Sequence, residues 1–171
     1  MISFKNDTSF VLYDEFISKW SFIINKSFST ERYFCIHIIT LEQLHKNYGY
    51  LIKCSYENYD DSPYGCIYDA GFEDQVSNVI IVNVEFLNKL RFTSDECMAC
   101  VLHEVGHLYY YLEYSKVGGN NISIKELMSD CFVKSLGAGN DLKSALTKLT
   151  QSGLFTKEYC EGAIDWRIDR L

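Results

Sequence analysis

The chain has 171 residues, 47% of them hydrophobic and 23% charged, with a single proline and ten glycines. That length suits one domain with a real core, and that composition excludes a disordered or collagen-like chain. Sixteen basic against 23 acidic residues give a net charge of -7, so no domain-wide positive field exists to collect phosphates, which argues against a nucleic-acid partner.

In chain order, residues 9–26 are helix-like, with Phe10, Tyr13, Ile17, Trp20 and Ile24 recurring every three or four positions. Tyr33 to Ile39 (YFCIHII) is rich in β-branched and aromatic residues and reads as a buried strand. Leu41 to Tyr48 suggests a short helix, Leu51 to Tyr56 a strand, ENYDDSP a turn, and Tyr64 to Ala70 a further strand. Val79 to Val84 (VIIVNV) is the strongest strand of the chain. It reads either as buried core or as a sheet edge onto which an extended peptide adds as another strand.

After residue 90 the pattern becomes helical. Thr93-Ser94-Asp95-Glu96 offers good N-cap residues and an acidic first turn, followed by apolar positions from Met98 to Tyr114. Gly118-Gly119-Asn120-Asn121 breaks the pattern. Ser123, with Glu126 three residues on, predicts a capping box and a second helix that stops at Gly137 and Gly139. Asp141 to Gln151 and Thr156 to Leu171 read as the third and fourth helices. Strands first and helices second predict an α+β fold: a small antiparallel or mixed sheet with helices, then a helical part. Residues 1–171 read as one domain, with 79–171 as its functional core and 1–78 of unassigned role.

The seven cysteines, at 35, 54, 66, 97, 100, 131 and 160, are an odd number scattered through ordered-looking segments. They read as reduced thiols, and the CxxC spacing of Cys97 and Cys100 reads as helix core rather than a metal or redox pair. No apolar run approaches the ~18 residues of a membrane span, and no leader is visible, so a cytoplasmic protein with no membrane partner is expected.

The first of these late helices contains His103-Glu104-Val105-Gly106-His107, the pattern HExxH. Residues four apart share a helix face, so both imidazoles reach one ion, while Glu104 points to the side, where it can take a proton from an attacking water. A catalytic zinc needs a third protein ligand and an open fourth position. No histidine follows His107, and Tyr110 and Glu113 exclude HExxHxxGxxH. Glu126 and Asp130, one turn apart on the next helix, are the leading carboxylates for ligation or for holding a ligand histidine, with Asp95, Glu96 and Glu113 as weaker choices.

HEVGH followed by Glu126-Leu127-Met128-Ser129-Asp130, an ExxxD pattern on a second helix, resembles the gluzincin zinc metallopeptidases, most closely the small minigluzincins and ImmA/IrrE-like peptidases. The resemblance covers residues 79–171. It implies a zincin-like fold and one zinc ion on His103, His107 and Glu126. In the same reading Glu104 is the general base and Asp130 the partner behind a ligand. Trp166-Arg167-Ile168-Asp169-Arg170-Leu171 is similar to the arginine-bearing last helix of CAAX-type gluzincins. The chain lacks the His-Pro pair those proteins carry, and Ser129 stands where they have alanine.

The expected activity is hydrolysis of a peptide or protein substrate, with Arg167, Tyr109 or Tyr110 as the donor that steadies the developing oxyanion. Two other readings remain: a catalytically silent zincin-like module that regulates a protein partner, and a metal-free interaction domain. The intact Glu104 speaks against the silent module, since a structural site needs no base.

Overall fold

A computed structural model describes residues 2–6, 34–39, 46, 64–72, 75–83, 88–114, 122–152 and 163–171. The chain divides into two compact units, Met1–Arg91 and Phe92–Leu171.

The first unit holds four strands: β1 (Ile2–Asn6), β2 (Phe34–Ile39), β3 (Tyr64–Phe72) and β4 (Gln75–Asn83). They form one sheet in the order β1-β2-β4-β3. β1 and β2 run parallel, as do β2 and β4, with Ile36 opposite Ile80 and Ile38 opposite Val82. β3 and β4 pair antiparallel, with a register shift between Ile67 and Ala70. The short link between β3 and β4 suits an antiparallel pair, whereas the long segment between β1 and β2 leaves room for the crossover a parallel pair needs. VIIVNV therefore does not offer a free edge. β4 has β2 on one side and β3 on the other, its ladder groups are taken on both sides, and no peptide can add to it. The helix expected over 9–26 and the strand over 51–56 lie outside the described residues, as does all but Lys46 of the helix expected over 41–48.

The second unit is helical: α1 (Ser94–Tyr114), α2 (Ile122–Ser135), α3 (Gly139–Gln151) and α4 (Ala163–Arg170). α1 opens on a capping box. The Thr93 N–H donates to Glu96 Oε2 at 2.7 Å, and the Glu96 N–H donates back to Thr93 Oγ1 at 3.2 Å. Glu96 also accepts from Ser144 Oγ at 2.6 Å and pairs with Lys148 Nζ at 2.6 Å, which ties the start of α1 to α3. It is thus a fastening between helices, not a metal ligand. Burial alone would raise its pKa, but the bonds from Lys148, Ser144 and Thr93 outweigh that and hold it below the ordinary glutamate value.

α2 begins at Ile122, so Ser123 lies inside the helix rather than capping it. It ends in a Schellman turn. The Gly137 N–H reaches Lys134 O at 3.0 Å and the Ala138 N–H reaches Val133 O at 3.2 Å. Gly137 sits at φ 84°, the left-handed region a side chain resists. Gly139 does not extend this stop, because it is already the first residue of α3.

The core of this unit draws on one run of α1 (Cys97 to Leu102, then Val105), on Phe132 and Val133 of α2, and on Leu142, Ala145, Leu146 and Leu149 of α3. Cys97 and Cys100 are buried within it and form no disulfide. Burial, with the nearby Glu96 charge, pushes the Cys97 thiol up to about 12, so it remains protonated and inert. No helix among the described residues is long and apolar enough to cross a membrane.

Candidate metal centre

HEVGH occupies the middle of α1, where its unbroken helical geometry sets the site. His103 and His107 come to one face four residues apart, their rings edge-on with centroids 4.6 Å apart. Glu104 follows His103 by one residue, about 100° round the helix. It is partly exposed and, among the described residues, bonds to nothing.

Gly106 determines how closely α2 approaches. A Cβ at this position would stand 3.0 Å from Ser129 Cα and 3.2 Å from Ser129 O, tighter than packed atoms ordinarily sit, so α2's backbone comes close to α1 here. That contact brings α2's carboxylates over the histidines. Glu126 Oε2 lies 3.1 Å from His103 Nε2, and Glu126 Oε1 lies 3.1 Å from His107 Nε2. One turn on, Asp130 Oδ1 accepts from His103 Nδ1 at 2.9 Å. With Nδ1–H committed to Asp130, His103 turns Nε2 toward Glu126 and His107.

His103, His107 and Glu126 offer one ligand atom each within 4.8 Å of one another, and they are the one such group among the described residues. Tetrahedral zinc with bonds of 2.0–2.1 Å places its ligand atoms roughly 3.3 Å apart. The two 3.1 Å separations, one from each Glu126 oxygen, are close to that spacing, and a single oxygen serving both imidazoles lies within 4.8 Å of each. Two imidazoles and one carboxylate are also the donor chemistry of a zinc that keeps an open position. The residues present fit the ion.

The electrostatics follow the geometry. Burial disfavours a charged His103, yet the bonds to Asp130 and Glu126 prevail and push the imidazole up to about 9. A proton and a metal thus compete for the same Nε2. Burial would raise Glu126 as well, but its bonds to both histidines hold it far below the usual carboxylate range. For Asp130 the burial penalty is likewise overcome, by His103 and Arg167, and its pKa is lowered.

Arg167 of α4 completes the cluster, only 7% exposed. Its Nε and Nη2 donate to Asp130 Oδ2 and Oδ1 at 2.7 and 2.8 Å, a two-pronged grip. Its Nη1 pairs with Glu126 Oε2 at 2.7 Å. The guanidinium expected as an oxyanion donor faces these two carboxylates, with Nη2 3.4 Å from His103 Nδ1. Tyr109 stacks on Phe132 of α2, with ring centroids 5.3 Å apart, and so belongs to the helix contact. Tyr110, seven residues after His103 and partly exposed, shares the histidine face and meets Tyr109 edge-on at 5.4 Å. Of the weaker ligand choices, Glu96 is held by α3 and Asp95 is not in the ligand group. The side chain of Glu113 lies outside the described residues.

Sequence reasoning named His103, His107, Glu126 and Asp130, and the structure brings all four together. It did not place Arg167 on the carboxylates, nor Gly106 against Ser129. The small residue inside HEVGH was the signal for the second of these. For the first, only the arginine in an otherwise amphipathic final helix pointed that way. Comparison of the chain with protein-family models, curated proteins and solved structures finds no match in any of the three.

Proposed function

We propose that the chain is a zincin-like α+β protein that hydrolyses peptide bonds with one zinc ion held by His103, His107 and Glu126. The observation that carries this reading is the convergence of those three ligand atoms beside a Glu104 carboxylate that, among the described residues, bonds to nothing. A structural zinc site is closed by four protein ligands, whereas among the described residues this one presents three and a base.

Bound there, the ion would supply Lewis-acid polarisation of a carbonyl and acidify a water. The chain's own residues do the rest. Glu104 accepts the proton of the attacking water and passes it to the leaving amine. Asp130 fixes the tautomer and ring orientation of His103. Among the described residues, Tyr110 lies on the histidine face and is able to donate to the oxyanion. The substrate is a peptide or protein segment. The buried Cys97 and Cys100, which form no disulfide, support a reducing, cytoplasmic setting.

The test is zinc content after dialysis against zinc and desalting. The wild type retains one equivalent. His107→Ala retains none, and its melting temperature no longer rises with added zinc. Unchanged stoichiometry in the variant would remove His107 from the ligand set.

A further inference from the structure

Glu126 and Asp130 bring two carboxylates into a partly or wholly buried cluster, where unneutralised charge is costly. Among the described residues, the groups that face them are His103, His107 and Arg167. Of these, Arg167 is the one whose charge is independent of pH and of metal. It reaches both carboxylates at once, with Asp130 held by Nε and Nη2 and Glu126 by Nη1. It comes from α4, a helix of eight residues, too short to hold its own shape without tertiary contacts. Lys134 of α2 steadies the far end of that helix by donating to Arg170 O at 2.8 Å.

We propose that Arg167 is a resident counter-cation for the metal site: it holds Glu126 and Asp130 in ligating position before the ion arrives. When zinc takes Glu126, Arg167 keeps its two-pronged hold on Asp130 and, through Asp130, on the His103 ring. Arg167 is therefore a positioning residue, acting through the carboxylates rather than on the substrate. It also makes α4 part of the site, since the helix is fastened where the ligands are. The proposal deepens the zinc reading and rests on it.

The test compares thermal unfolding of wild type, Arg167→Met and Arg167→Lys, each in chelator and in saturating zinc. In chelator, Arg167→Met leaves buried Asp130 and half-buried Glu126 short of a cation and should melt at least about 10 °C below wild type. In zinc the ion neutralises Glu126, so the gap should shrink to half or less. Arg167→Lys keeps the charge without the fork and should show a smaller gap that narrows in the same way. It also keeps the test decisive if the Met variant does not fold.

A second reading, in chelator alone, adds Glu126→Gln to each background. Removing that charge should cost the Arg167 variants less than it costs wild type. A gap equal with and without zinc, or equal costs of Glu126→Gln in all backgrounds, would make Arg167 an ordinary packing residue and overturn the proposal. Variants that melt like wild type in chelator yet lose turnover would return Arg167 to the oxyanion role and overturn it equally. A wild type that takes up no zinc would instead defeat the metal reading, and stoichiometry identifies that case separately.

Discussion

Glu126 and Asp130 are the same functional group one turn apart, yet their surroundings give them different work. Glu126 touches Nε2 of both histidines, whereas Asp130 touches only Nδ1 of His103 and is gripped by Arg167. Glu126→Ala should purify nearly free of zinc. Asp130→Ala should still bind it, but about 10–100-fold more weakly, the usual cost of losing the partner behind a ligand. Competition with a chelating dye measures both, and the reverse order would make Asp130 the ligand. Gly106 makes a different contribution, because what it provides is an absence. The Cβ of Gly106→Ala would meet Ser129 Cα, part of α2's backbone, which cannot swing aside as a side chain does. That crowding should cost about 1–3 kcal/mol in urea unfolding, and it should weaken zinc as α2 carries Glu126 away. Wild-type zinc affinity in this variant would show that the close approach does not position the ligand.

At the scale of elements, the legible parts were those whose determinants are local. The helical pattern and the N-cap residue types in Thr93-Ser94-Asp95-Glu96 identified α1, and i,i+4 spacing placed both histidines on one face. The start of α2 was misjudged because Ser123 and Glu126 have the spacing of a capping box, while the structure uses Glu126 on another helix altogether. The sequence offered Glu96 as part of an acidic first turn and as a weaker ligand choice, not as a fastening to α3. Its bonds to Ser144 and Lys148 span about fifty residues, beyond the reach of any local pattern. Those bonds have a consequence for pH. Because folding lowers the Glu96 pKa, its contribution to stability is present above the unfolded glutamate value, about 4.3, and is lost as pH falls through the folded value. Glu96→Gln should therefore be less stable than wild type at pH 7, with the difference shrinking below pH 4. A difference constant across that range would mean that the carboxylate's charge is not what fastens α1 to α3.

At the scale of the molecule, the candidate site is complete within 92–171, since both histidines, both carboxylates and Arg167 fall in that unit. The sequence suggested a core beginning at residue 79. β4, however, belongs to the first unit, as an interior strand of its sheet. Strand order was illegible because an apolar, β-branched run is equally at home at the centre or the edge of a sheet, and pairing is settled by residues far away in the chain. β1, at five residues, was too short to give a periodic signal. The grip of Arg167 was hidden for the same reason as the bonds of Glu96, with 37 positions separating it from Asp130. The account as a whole rests on Glu104 acting as a base beside a bound zinc. The most direct measurement is cleavage of a mixed peptide library by the zinc-loaded wild type and by zinc-loaded Glu104→Gln, with products read by mass spectrometry. Glutamine matches glutamate in size and cannot take the proton. The account predicts one zinc in each protein, chelator-sensitive cleavage by the wild type, and turnover reduced at least about a hundredfold in the variant. Equal cleavage by both, or zinc in both with cleavage by neither, would contradict it.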